Sequence, residues 1–130
     1  MARILIADDY DDNRELLRLM LEMAGHEIRE ARDGKECLDM ALAQPPDILL
    51  VDLSMPILDG WNLLRQLRGD ERTRGIPCVA VTAFPTGHEP DQIVDGFVDG
   101  FNAYLGKPFR LRELLSTVGR LLAERPFVSS

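Results

Sequence analysis

Histidine and cysteine are scarce in this chain, two of each in 130 residues, and neither is arranged for chemistry. Cys37 and Cys78 lie far apart and form no CxxC pair. That excludes a zinc ribbon or a dithiol motif and predicts two buried, reduced thiols. His26 and His88 have no second ligand or nucleophile beside them, so neither reads as catalytic. Basic residues are in the minority, 15 Lys and Arg against 22 Asp and Glu, for a net charge of -7. A nucleic-acid surface needs a basic stripe, and direct nucleic-acid binding is not expected. Arg65, Arg68, Arg72 and Arg74 are interrupted by Asp70 and Glu71 and read as a solvated face. No apolar run approaches a membrane span, and Met1-Ala2-Arg3 leads straight into a strand. No membrane partner and a cytoplasmic location are therefore expected. GxGxxG and Walker sequences are absent, which removes support for nucleotide binding. Without repeats, linkers or low-complexity stretches the chain reads as one domain over 1–123 with a tail at 124–130.

Short apolar runs alternate with longer amphipathic ones, the pattern of βαβ units on a parallel sheet. Residues 4–7, 48–51 and 79–81 are continuous apolar runs, as strands buried on both faces should be. Ile28 to Ala31 is charged and suits an edge, and Ala103 to Leu105 is short. Helical spacing is kept over Asp12 to Ala24 by Leu16, Leu17, Met20, Leu21 and Ala24, with Gly25 as a left-handed stop. Gly34 to Ala43 ends before Pro45-Pro46, and Leu58 to Leu67 carries Trp61, Leu64 and Leu67. A helix over roughly 90–99 would turn Ile93, Val94 and Phe97 inward. The last helix has one clean stripe: Leu111, Leu114, Leu115, Val118, Leu121 and Leu122. Five βα units result, with right-handed crossovers and helices on both faces.

Chemistry gathers at the strand ends. Ile4-Leu5-Ile6-Ala7 runs into Asp8 and Asp9, Ile48-Leu49-Leu50-Val51 into Asp52, Val79-Ala80-Val81 into Thr82, and Lys107-Pro108 follows the last apolar stretch. The C-terminal ends of parallel strands are where α/β sheets place ligands. Three carboxylates, a hydroxyl and an ammonium brought together there would form an acidic, metal-ready pocket containing a nucleophile. The carboxylates repel one another, and a divalent ion removes that penalty. All-oxygen ligands select Mg²⁺ or Mn²⁺ over zinc. Asp8 and Asp9 can also be read as helix N-terminal charges, since Asp11 and Asp12 follow.

Four elements in order, Asp8-Asp9, Asp52 with Met55-Pro56 and Asp59-Gly60, Val81-Thr82-Ala83, and Tyr104-Leu105-Gly106-Lys107-Pro108, make the chain resemble the receiver domain of two-component response regulators over essentially its whole length. The resemblance implies a doubly wound five-stranded parallel sheet of order 2-1-3-4-5 with five helices, the flavodoxin-like receiver fold. It makes Asp52 the acceptor of a phosphoryl group from a partner's phosphohistidine. Asp9, Asp52 and the Ser54 carbonyl would then hold Mg²⁺, with Asp8 acting directly or through water. Lys107 would pair with Asp52 and then with the phosphoryl oxygens, next to a cis Lys107–Pro108 peptide. Thr82 would give its hydroxyl to a phosphoryl oxygen, and Tyr104 would turn inward as the switch aromatic, changing the surface of the fourth helix and fifth strand. Thr82 as a mere strand end and Tyr104 as an edge tyrosine are the plain alternatives. Implied partners are a sensor histidine kinase or a histidine phosphotransfer protein and a downstream protein target, and a homodimer is compatible with the sequence. The reading leans to a stand-alone regulator that catalyses only its own phosphorylation and dephosphorylation. Phe84-Pro85-Thr86-Gly87 departs from the small residues usual after the fourth strand, which predicts an atypical loop and altered partner specificity. A small Mg²⁺-dependent phosphohydrolase with an aspartyl nucleophile is the alternative from another class.

Overall fold

The computed structural model describes residues 2–53, 58, 60–82, 101–107 and 109–124. Along the chain these form β1 (Arg3–Ala7), α1 (Asp11–Met23), β2 (Glu27–Ala31), α2 (Gly34–Ala43), β3 (Ile48–Asp52), α3 (Gly60–Arg68), β4 (Cys78–Thr82), β5 (Ala103–Gly106) and α4 (Leu111–Glu124). The five strands make one parallel sheet of order β2-β1-β3-β4-β5. The helix read over 90–99, the tail from 125 onward and the loop carrying Phe84 lie outside the described residues.

Alternation along each strand divides the core into two layers. Leu5, Ala7, Leu49, Val51, Cys78 and Ala80 point to one face, where α2 and α3 supply Cys37, Ala41, Leu63, Leu64 and Leu67. Ile4, Ile6, Ile48, Leu50, Val79 and Val81 point to the other, against Leu17 and Leu21 of α1 and Leu114, Val118 and Leu121 of α4. β3 is buried at every position, as the middle of the sheet must be. β2 alternates between exposed and half-buried residues until Ala31, which fits its place at the edge.

Helix boundaries have local causes. Gly25 has φ of 91°, the left-handed stop expected after α1. Asp33 caps α2 by accepting from the Glu36 N–H at 2.8 Å, while Glu36 Oε1 accepts from the Arg32 N–H at 3.0 Å. Two expectations need correction. Leu16, one of the apolar positions that set the helical spacing of α1, is 49% exposed, because only Leu17 and Leu21 of that face are buried against the sheet. Arg68, read as part of a solvated basic face, is half-buried and donates to the carbonyls of Arg74 and Ile76 and to Asn102 Oδ1. Its fork closes the turn between α3 and β4, while Arg72 pairs locally with Asp70 and holds that carboxyl down to about 2.

Both cysteines are fully buried free thiols, as expected from their isolation. Burial pushes the Cys37 thiol far above its ordinary range, and pushes Cys78 from 9.0 up to about 11 against the opposing charge of Arg68. A raised thiol pKa stabilises the folded chain fully below the unfolded value, and that contribution is lost as pH rises through the folded one. The denaturant midpoint should therefore fall between pH 9.0 and about 11. In mildly alkaline buffer both thiols should resist a thiol reagent until the protein is unfolded. Full reaction in the native state would contradict this packing.

An acidic pocket at the strand ends

Register brings the expected residues together. Ala7 pairs with Val51, so Asp8 emerges level with Asp52, the last residue of β3. Asp52 is in turn level with Val81, and Thr82 is level with Gly106, the residue before Lys107. These are the carboxyl ends of β1, β3, β4 and β5, at the point between β1 and β3 where the strand order reverses and a crevice must open.

Asp8 is 1% exposed and Asp52 is 7% exposed, whereas Asp9 faces solvent. One carboxylate oxygen from each of the three lies within 4.8 Å of the others. Lys107 Nζ donates to Asp8 Oδ2 at 3.2 Å and to Asp52 Oδ2 at 3.4 Å, spanning the two buried acids. The Tyr10 N–H donates to Asp8 Oδ1 at 2.9 Å, and the Asp8 N–H continues the ladder to the Ala31 carbonyl at 3.2 Å. Three carboxylates this close, two of them buried, require cationic charge, and one ammonium does not balance all three. The donor set is all oxygen and open to solvent on the Asp9 side. It fits a hard divalent cation of the Mg²⁺ type that keeps several waters.

Two glycines let the neighbouring backbone close on this pocket. A side chain at Gly34, the first residue of α2, would overlap the carbonyl oxygen of Leu58. A Cβ at Gly60 would meet Leu53 Cα at 2.9 Å and the Asp52 carbonyl oxygen at 3.0 Å, and the Gly60 N–H donates to the Leu53 carbonyl at 3.2 Å. Leu58 thus lies against the start of α2, and Gly60 against the end of β3.

Tyr104 lies on β5 opposite Ala80, half-buried, with its ring 5.8 Å from Phe101. Phe101 and Trp61 in turn pack in a T-shaped pair with ring centres 5.4 Å apart, so Trp61 of α3 has a packing role. Asp8, Asp9, Asp52 and Lys107 are therefore assembled, and Thr82 is placed by its strand. The Thr82 side chain, the Ser54 carbonyl and the Lys107–Pro108 peptide lie outside the described residues. Sequence reasoning missed Arg14, which donates from Nη1 to the Asp8 carbonyl at 2.7 Å and pairs with Asp11. Its signal was an arginine one helical turn after Asp11, an i,i+3 spacing that any surface pair would also show.

The family description "Response regulator receiver domain" matches residues 4–119, and the chain belongs to that family. It is a receiver domain of two-component signalling, a module type that in general is non-enzymatic, binds Mg²⁺ at an acidic pocket and interacts with histidine kinases. The DNA-binding dual master transcriptional regulator RpaA of Synechocystis sp. is 41% identical over 94% of this chain, which spans about half (49%) of that protein. The polar-differentiation response regulator DivK of Brucella ovis is 33% identical over 93% of this chain and 96% of its own length. Among solved structures, the receiver domain of the sensor histidine kinase PA1611 from Pseudomonas aeruginosa PAO1, which has a magnesium ion coordinated in its active site cleft, is 30% identical. It superposes with a TM-score of 0.84 over 94% of this chain and 98% of its own. No helix among the described residues is long and apolar enough to cross a membrane.

Proposed function

We propose that Asp52 is the phosphoryl acceptor of this receiver, with Mg²⁺ held by Asp8, Asp9, Asp52 and the Ser54 carbonyl. The observation that carries the reading is the three-carboxylate group within 4.8 Å, spanned by Lys107. The magnesium in the cleft of the Pseudomonas aeruginosa PA1611 receiver supports the choice of ion. When bound, the ion neutralises charge on the carboxylates and on the incoming phosphoryl group, without which a carboxylate is a poor nucleophile toward an anion. An Asp52 carboxylate oxygen bonds to phosphorus as the P–N bond of a partner's phosphohistidine breaks, and the electron pair returns to the imidazole nitrogen. Lys107 shifts from its carboxylate partners to a phosphoryl oxygen as a point charge. The Thr82 hydroxyl donates to another.

Those two contacts also bound the switch. Charge-assisted hydrogen bonds contribute roughly 1.5–3 kcal/mol each, and about 5.5 kcal/mol moves a two-state equilibrium from 1:99 to 99:1. Tyr104 turns inward when Thr82 moves, and the surface around β5 and the helix expected from the sequence over 90–99 becomes the face a downstream protein reads. The donor is a sensor histidine kinase or a histidine phosphotransfer protein, in the cytoplasm, and the working unit is residues 1–123.

Incubation with acetyl phosphate tests this reading. One phosphoryl group per chain is expected, dependent on Mg²⁺, blocked by a chelator and mapped to Asp52 by peptide mass spectrometry. Label mapped elsewhere, or steady turnover of a phosphomonoester as a hydrolase would show, would overturn it.

A further inference from the structure

We propose that Arg14 is a positioning residue for the metal centre: its buried guanidinium fixes the backbone that carries Asp9. This inference rests on the reading that Asp8, Asp9 and Asp52 hold the cation.

Arginine is seldom buried without partners, yet Arg14 is only 7% exposed. It reaches three groups from three parts of the chain. Nη1 donates to the Asp8 carbonyl at 2.7 Å, Nη2 pairs with the Asp11 carboxylate, and Nε lies 3.4 Å from Glu30 Oε1 on β2. Arg18 Nε lies 3.2 Å from the other Glu30 oxygen.

The consequence falls on Asp9. A peptide unit is planar, so a fixed Asp8 carbonyl also fixes the Asp9 amide. The next peptide is anchored as well, because the Tyr10 N–H donates to Asp8 Oδ1 at 2.9 Å. Both planes flanking Asp9 are thus tied down, one by Arg14 and one by Asp8. Asp9 itself is exposed, and a side chain in water is directed toward a cation chiefly by the backbone beneath it. Hydrogen-bond partners behind metal ligands set affinity in this way.

The sign of the effect separates positioning from charge. Removing a cation beside an acidic pocket should tighten binding of a divalent ion by electrostatics alone. Loss of positioning should weaken it.

Calorimetric titration of Mg²⁺ into the 130-residue protein tests the idea, with circular dichroism confirming that each variant is folded. Arg14→Met is expected to raise the Mg²⁺ Kd by about 10–100-fold. Arg14→Lys keeps the charge but replaces a fork by a single ammonium, and is expected to lie near the lower end, about tenfold. Arg18→Ala, which loses the pairs with Glu22 on α1 and Glu30 on β2 without touching Asp8, should titrate like the parent. Unchanged or tighter binding in Arg14→Met overturns the proposal. If that variant does not fold, parent-like affinity in Arg14→Lys overturns it instead. Should Asp9→Asn bind Mg²⁺ as well as the parent, the metal reading itself falls, a result distinct from failure of the Arg14 arm alone.

Discussion

Asp52→Asn is expected to take up no phosphoryl label from acetyl phosphate and, in metal-free buffer, to unfold at a higher temperature than the parent. The first effect follows from chemistry, since the amide oxygen is a far weaker nucleophile than a carboxylate and occupies the same space. The second follows from the charge balance. Asp52 lies within 4.8 Å of the Asp8 and Asp9 carboxylates, oxygen to oxygen, and 3.4 Å from Lys107. At an effective dielectric near 20, charges about 4 Å apart interact by about 4 kcal/mol, so two repulsions are set against the attraction to Lys107. Exposure of Asp9 screens its share, which leaves a net gain of about 1 kcal/mol and a rise of roughly 2–8 °C in Tm. Mg²⁺ should reverse the order. An ion that binds only the folded parent stabilises it by about 2.7 kcal/mol at a hundred times its Kd, and Asp52→Asn should gain much less. Labelling of Asp52→Asn at the parental rate, or an equal Mg²⁺ response in both proteins, would remove Asp52 from the centre of the site.

Much of this site was legible because it is built from strand ends. A continuous apolar run such as Ile48-Leu49-Leu50-Val51 marks a strand buried on both faces, and the residue that follows it must emerge at the sheet's edge. Asp8, Asp52 and Lys107 needed only that inference, together with the order β2-β1-β3-β4-β5 implied by the family resemblance, to be brought together. What the pattern left out depends on side-chain reach. Arg14 looked like any helical arginine, and its role appears only once the Asp8 carbonyl is found within 2.7 Å of its fork. Arg68 likewise sits in a charged run, yet its length carries it to the carbonyls of Arg74 and Ile76, where the chain turns into β4. Leu16 erred in the opposite sense. Helical spacing selects a broad apolar face, and contact with a flat sheet buries only its centre at Leu17 and Leu21.

Lys107→Ala should give the opposite stability result from Asp52→Asn while also impairing phosphorylation. The lysine side chain is 20% exposed, and its ammonium bridges Asp8 at 3.2 Å and Asp52 at 3.4 Å, carboxylates whose side chains are 1% and 9% exposed. Removing one partner from a buried pair costs about 3–5 kcal/mol, and partial exposure of the lysine reduces that here to about 2–3. In metal-free buffer the variant should therefore melt below the parent, where Asp52→Asn melts above it. Saturating Mg²⁺ brings counter-charge to the same carboxylates and should recover most of the loss. The labelling rate should not recover, because in the proposed transfer the lysine would also contact the phosphoryl group. Loss of one charge-assisted contact of roughly 1.5–3 kcal/mol slows labelling by about 10–150-fold. Lys107→Arg keeps the charge but presents a planar fork where a compact ammonium fits between two oxygens, and should restore stability more fully than rate. If Lys107→Ala melts with the parent without metal and labels at the parental rate, the bridge it forms between Asp8 and Asp52 has no part in balancing the pocket or in the transfer.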